Sequence, residues 1–170
     1  MASVLACGAY ADPVLRQLVT SFKYRSASCL VPVWTQVLMA FRASFLDPWP
    51  WAGLTELVVT SVPGDADRVR ERGMDHAALL ADAVRETLVP WARREVLLTR
   101  VRSSLRNASL PADVSRAQNV SGVFMALRPV TTSVLLVDDV LTTGATTKEA
   151  AQTLLAEGAR AVYVVTMAEG

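Results

Sequence analysis

The amino-acid sequence predicts an α/β domain, and three observations carry that prediction. Segments with helical periodicity alternate with short strand-like runs. Val134 to Val137 is a continuous apolar run without polar alternation, the pattern of a strand covered on both faces. The stretch from Val134 to Thr166 reads as strand, turn, helix, strand, a βαβ unit whose strands run parallel and connect right-handedly.

Asp12 followed by Pro13 is a helix start, a capping carboxylate before a proline in the first turn, and Leu15, Leu18, Val19 and Phe22 then share one face. A second helix is marked by Leu30, Trp34, Val37, Leu38, Phe41 and Phe45 at three- and four-residue spacing. Two prolines and a glycine make 47–53 a loop. Leu57 to Ser61 reads as a buried strand ending at Pro63-Gly64. Ala77, Leu80, Ala81, Val84 and Leu88 mark a helix that stops before Pro90. Glu95 to Val101 is a strand candidate, and Val123 to Leu127 a shorter one. Between them Arg102 to Gln118 is polar and aperiodic, with Asn107 and Pro111, and reads as a loop. Val134 to Asp138 is a strand, Thr146 to Glu157 a helix with Ala150, Ala151 and Leu154 inward and Gly158 at its C-terminal cap, and Ala161 to Thr166 the next strand. There is no internal repeat.

A length of 170 residues suits one domain, and 52% hydrophobic against 19% charged residues is too apolar for a disordered chain. No apolar run approaches the roughly 18 residues of a membrane-spanning helix, so no membrane insertion is expected. Met1 to Tyr10 lacks the basic start and long apolar stretch of a secretory signal, which predicts a soluble, cytoplasmic domain. Cys7 and Cys29 cannot form a disulfide framework or a four-ligand metal site by themselves. Of the 17 basic side chains only Lys23 and Lys148 are lysine, which leaves 15 arginines against 16 acids. Ten of those arginines fall between Arg68 and Arg116, where there are six acids. This local excess is either a solvated surface or an anion-binding face.

The chemistry concentrates in Val134-Leu-Leu-Val-Asp138-Asp139-Val140-Leu141-Thr142-Thr143-Gly144-Ala145-Thr146. Two adjacent carboxylates stand at the carboxyl end of a buried strand, where open α/β sheets place their ligands. The loop around Gly144 leads into a helix, and its N–H groups with the helix N-terminus behind them form an anion cradle. Threonine hydroxyls add donors, and a phosphate held there leaves Asp138 and Asp139 to face sugar hydroxyls or a magnesium ion bound to them. The stretch is not a Walker P-loop, having no Gly-Lys-Ser/Thr ending, nor a dinucleotide fingerprint.

This segment resembles the phosphoribosyl pyrophosphate (PRPP) motif of type I phosphoribosyltransferases. Tyr10 with Leu15-x-x-Leu18-Val19-x-x-Phe22-Lys23-Tyr24, then Ser61-Val62-Pro63, Arg70-x-Arg72-Gly73-Met74-Asp75 and Arg116-x-x-Asn119-Val120 stand in the order seen in the ComF (competence protein F) family. The resemblance implies a type I phosphoribosyltransferase-like fold: a central, mostly parallel sheet flanked by helices, with a helical N-terminal or hood part over 1–53 and a PRPP-binding core over 54–170. It implies that Asp138 and Asp139 accept from the ribose hydroxyls, with magnesium arriving with PRPP rather than in a protein-only cage. It implies that Thr142, Thr143, Gly144, Ala145 and Thr146 hold the 5′-phosphate and that Val62, Pro63 and Gly64 form the pyrophosphate loop. Arg72 reaches a phosphate there or makes a surface salt bridge, and Arg102 to Gln118 is a candidate lid. No catalytic residue is named by the resemblance.

The implied reaction is displacement of pyrophosphate at ribose C1 by an acceptor, usually nitrogen, through a transition state of oxocarbenium character. The family further implies a link to DNA uptake, through single-stranded DNA or a protein of the competence machinery. The alternative is a PRPP- or nucleotide-sensing factor, or a DNA-handling one, without turnover. The sequence departs from the family at several points. The cysteines do not support its zinc ribbon, Ser61 stands where proline is usual, and Asn107 where glutamine aligns. Thr142 replaces the acid of members that use hypoxanthine or guanine, and no glutamine-hydrolysing module is expected. His76, the only histidine, is either a proton shuttle or an ordinary helix-start residue. Trp34, Trp49, Trp51 and Trp91 read as packing residues. The glycosylation-like Asn107-Ala-Ser109 and Asn119-Val-Ser121 are chance matches in a chain without a signal, and one histidine gives no support to a serine-hydrolase triad.

Overall fold

The computed structural model describes residues 1–24, 27–45, 48–101 and 122–170. The candidate lid at 102–118, with Asn107, Arg116 and Asn119, lies outside the described residues. In chain order the elements are β1 (Ser3–Ala6), α1 (Pro13–Tyr24), α2 (Ala27–Ser44), β2 (Leu57–Ser61), α3 (Ala66–Arg72), α4 (His76–Leu88), β3 (Arg93–Arg94), β4 (Leu98–Arg100), β5 (Phe124–Ala126), β6 (Ser133–Leu141), α5 (Ala145–Ala156) and β7 (Val162–Glu169).

Five strands form a parallel sheet in the order β1-β7-β6-β2-β3. The β6-α5-β7 unit is the predicted βαβ, with Val134 opposite Val162 and Asp138 opposite Thr166. Period-2 alternation sends successive side chains to opposite faces. On one face Leu57, Val59, Leu135, Val137, Val165 and Met167 meet Phe22 of α1, Trp34 and Leu38 of α2, and Leu80 and Val84 of α4. On the other, Val58, Val134, Leu136, Val162 and Val164 meet Ala150, Ala151 and Leu154 of α5 and Leu97, Leu98 and Phe124 of the β4–β5 arm. Each large side chain so buried contributes about 1.5–3 kcal/mol of transfer free energy, so helices are pinned to both sides of the strands that carry the acid pair.

Local signals hold where they rest on capping chemistry. Asp12 Oδ1 accepts from the N–H groups of Val14 at 2.8 Å and Leu15 at 3.0 Å, which starts α1. Beyond Gly158, whose φ is +98°, Ala159 N–H donates to Leu154 O at 3.0 Å and closes α5.

Four features differ from the sequence expectation. Ser3–Ala6 forms an edge strand beside β7, so the 1–53 part is not wholly helical. Four half-buried residues carry too short a pattern to declare themselves. α3 is likewise unannounced, its seven residues being mostly charged. The Glu95–Val101 candidate shortens to β4 at Leu98–Arg100, which pairs antiparallel with β5 outside the main sheet, while the two-residue β3 just before it, Arg93–Arg94, pairs with β2 and was not expected. Trp91 is 48% exposed and lies outside the buried core, whereas Trp34 and Trp51 are buried and Trp49 stacks on Trp51 with centroids 5.1 Å apart.

Candidate functional site

β6 runs further than its apolar stretch. It continues to Leu141 because Asp138, Val140 and Leu141 keep their pairing with Thr166, Ala168 and Glu169 of β7. The acid pair therefore stands on the strand itself, held by the ladder, and the threonine loop follows it. Gly144 occupies the left-handed region at φ +70° as the N-cap of α5. Its carbonyl accepts from Lys148 N–H at 2.8 Å, the first turn of the helix. The α5 N-terminus thus faces the same opening as the acids.

Two adjoining depressions, of about 370 and 450 Å³, share Lys23, Asp138, Asp139 and Thr146. The first is completed by Val62, Pro63 and Gly64 after β2, by Arg72 of α3, His76 of α4 and Arg100 of β4, with Asp65, Val69, Asp75 and Ala77. The second is completed by Tyr10, Val140 and the run Thr142 to Thr147. All the residues singled out from the sequence line one depression or the other: Val62, Pro63, Gly64, Arg72, Asp138, Asp139, Thr142, Thr143, Gly144, Ala145 and Thr146.

The acids are not equivalent. Asp138 Oδ1 accepts from Asp139 N–H at 2.8 Å and its Oδ2 accepts from the Thr147 hydroxyl at 3.0 Å. Burial first, and then the neighbouring Asp139 charge, push its carboxyl up to about 6, against the pull of those two donors and Lys23. Asp139 instead meets the Lys23 ammonium, with Nζ 2.8 Å from Oδ2. Lys23 comes from α1, whose end is anchored by Phe22, 1% exposed and edge-on to Trp34 and to His76.

His76 does begin a helix, with Asp75 capping it through Ala77 and Ala78 N–H, and its ring also lines the first depression. Burial, then the Arg72 charge, hold the imidazole below its usual range, against Asp139, Asp75 and a hydrogen bond to the Phe22 backbone. Arg100 lies over the Phe124 ring, 5.5 Å from its centroid.

Sequence reasoning assigned no place in the site to Lys23, Tyr10, Arg100 or Thr147. Lys23 carried a signal, being one of two lysines in an arginine-rich chain and next to Phe22 on the buried stripe of α1. Arg100 and Thr147 carried none, since only the fold brings them to the acids. Among the described residues no group of three or more His, Cys, Asp or Glu could hold a metal alone. Two adjacent carboxylates in the depressions do fit magnesium that completes its coordination with ligand oxygens.

Comparison with protein-family profiles gives no match. Two curated relatives, each called DNA utilization protein YhgH, from Salmonella typhi and Salmonella typhimurium, are 35% identical over 131 residues, 76% of this chain. The chain spans about half their length, 53%. Two solved structures share the fold, each over 87% of this chain and 30% of theirs. One is described as the allosteric regulatory enzyme of purine biosynthesis, with TM-score 0.56 and 21% identity. The other is the glutamine PRPP amidotransferase from B. subtilis complexed with ADP and GMP, with TM-score 0.54 and 19% identity. The five-stranded parallel sheet and its flanking helices are thus similar to the type I phosphoribosyltransferase fold.

Proposed function

We propose that this chain binds PRPP in the paired depressions and transfers its phosphoribosyl group to a nitrogenous acceptor, releasing pyrophosphate, in a setting of DNA utilisation or uptake. The observation that carries the reading is the convergence of three ligand-facing parts in one cleft: the loop after β2, the acid pair on β6 and the threonine loop before α5. Their order along the cleft matches the order of groups in PRPP, pyrophosphate, ribose and 5′-phosphate. The PRPP named for one structural neighbour and the DNA utilisation named for the curated relatives support the same reading.

In this reading Thr142 to Thr146 bind the 5′-phosphate through backbone N–H groups and hydroxyls, at the N-terminus of α5. Asp138 and Asp139 accept from the ribose hydroxyls and fix the sugar between the two phosphate ends. Val62 to Gly64 and Arg72 face the pyrophosphate. The bond between ribose C1 and the pyrophosphate oxygen breaks with its electron pair leaving on pyrophosphate. C1 bonds to the acceptor nitrogen, which gives up a proton to solvent or to the departing group. Asp138 and Asp139, together with ligand oxygens, would hold magnesium arriving with PRPP, which would supply charge neutralisation at the leaving group.

Calorimetric titration with PRPP and magnesium tests the binding, and release of pyrophosphate with a panel of nitrogenous acceptors tests the turnover. Saturable binding that Asp138→Asn with Asp139→Asn abolishes is the expected result. Absence of binding at millimolar PRPP overturns the reading. Binding without pyrophosphate release for any acceptor replaces the transferase with a PRPP-sensing protein.

A further inference from the structure

We infer that Lys23 is a ligand-binding residue of this cleft, contributed by the N-terminal helix, and that its ammonium grips the pyrophosphate group of PRPP while paired to Asp139. The inference rests on the PRPP reading above and adds to it a residue on a separate element. Three observations support it. Lys23 lines both depressions, so its head stands where they join. It is the only cationic side chain among the described residues lining the second depression, whereas in the first it joins Arg72 and Arg100. And its Nζ lies 2.8 Å from Asp139 Oδ2 with both side chains about one quarter exposed, at 25% and 22%, so the pair sits at the wall of the cleft and remains open to it.

An ammonium has three donors, and the Asp139 contact uses one. The others can serve ligand oxygens without breaking the pair. Retaining it matters, because Asp138 and Asp139 repel each other and Lys23 is the cation that offsets them. With the ribose over the acids, the 5′-phosphate lies toward the amides and hydroxyls of the threonine loop, with Lys23 alone as a cation among the described lining, and the pyrophosphate toward the depression where Lys23, Arg72 and Arg100 meet. A group carrying several negative charges belongs on the side with three cations. α1 is fixed well enough to act as a wall of the site, since Val19 and Phe22 are each 1% exposed in the core and Asp12 caps its start.

The test compares three ligands, PRPP with magnesium, inorganic pyrophosphate with magnesium, and ribose 5-phosphate, on the wild-type chain, Lys23→Met and Lys23→Arg, by calorimetry. Lys23→Met is expected to weaken PRPP and pyrophosphate about ten- to a hundredfold, the range of one lost charge-assisted hydrogen bond, and ribose 5-phosphate by less than about threefold. Lys23→Arg, which keeps the charge and guards against loss of fold, is expected to recover part of the pyrophosphate affinity. Equal losses for all three ligands overturn the inference, because Lys23 then only neutralises Asp139. Unchanged PRPP affinity in Lys23→Met overturns it also. A wild-type chain that binds none of the three overturns the PRPP reading itself, and the role of Lys23 with it.

Discussion

The hydroxyl of Thr147, in the first turn of α5, donates to Asp138 Oδ2 on β6 at 3.0 Å. This bond joins the strand that carries the acids to the helix that begins at the threonine loop, so the groups proposed to face the sugar and those proposed to hold the phosphate are tied to each other. Thr147 is 3% exposed, and water does not replace the bond readily when it is removed. Thr147→Val keeps the shape and deletes the donor. The expected result is a loss of about 1–2 kcal/mol of unfolding free energy at neutral pH, together with weaker PRPP binding. Urea denaturation and calorimetry on the same samples check it, and a variant as stable and as tight as wild type refutes the coupling.

Asp138 makes stability depend on pH in a direction unusual for an aspartate. Its folded carboxyl is pushed up to about 6 from the ordinary 3.8 of an aspartate. Between those values the folded state binds more protons than the unfolded one, so the contribution of this group falls as pH rises from about 4 to 6. A shift of this size corresponds to about 2–3 kcal/mol at most. His76 acts oppositely. Its folded value lies below 6.5, so below that pH the unfolded chain takes up the proton first and stability falls on acidification. Asp138→Asn is expected to raise stability at pH 7 and to remove the downward slope, leaving the rise that His76 causes. Urea midpoints measured from pH 4.5 to 8 decide it, and a variant that retains the wild-type slope sinks the assignment.

The same shift bears on the proposed binding of PRPP. Ribose hydroxyls donate to carboxylates, and a protonated Asp138 accepts them less well. PRPP affinity is therefore expected to drop as pH falls through about 6, while Asp138→Asn binds weakly with little pH dependence. Calorimetry at pH 5 and pH 8 shows the difference, and pH-independent affinity in the wild type argues that Asp138 is not a sugar contact.

Two glycines separate conformational need from steric need. At Gly144 an added Cβ would meet only Leu141 Cδ1, at 3.5 Å, so space is available and the φ of +70° is the obstacle. Gly144→Ala is expected to cost about 1–2 kcal/mol and to weaken phosphate binding, because relaxation of that φ moves the cradle amides. At Gly158 a Cβ would lie 2.9 Å from the Val130 carbonyl oxygen as well as at φ +98°. Gly158→Ala is expected to lower stability more than Gly144→Ala while leaving the affinity of the folded fraction intact. The reverse pattern would overturn the placement of the cradle at Gly144.

Legibility in the sequence followed the range of each interaction. The Val134–Val137 run, the Asp12 cap and the Gly158 terminator declare themselves because their causes lie within a few residues. The acid pair and threonine loop were legible for the same reason, since one contiguous segment carries both. β1 was not, because a four-residue edge strand is stabilised by pairing with β7, a partner some 160 positions away in the chain. The split of β3 from β4 depends on where β2 ends, with Glu95 N–H donating to Val59 O and Leu97 N–H to the Thr60 hydroxyl, and no local pattern encodes that. Lys23 and Arg100 reach the cleft from elements that close on it only in three dimensions.

Phe22 offers the sharpest test of how α1 serves the site. Its ring lies edge-on to His76 at 5.3 Å and to Trp34 at 6.0 Å, so one side chain ties α1 to α2 and α4 beside the cleft. Phe22→Leu retains much of the apolar volume and loses both ring contacts. Its expected cost is about 1–2 kcal/mol, less than a truncation to alanine. Because Lys23 is the next residue, loss of this anchor also loosens the placement of the ammonium against Asp139. PRPP affinity should then fall with pyrophosphate affinity, while ribose 5-phosphate binding stays near wild type. Adding Lys23→Met to Phe22→Leu should produce less than the sum of the two losses, since both changes act on the same contact. Fully additive losses in that cycle would mean that Phe22 stabilises the domain without positioning Lys23.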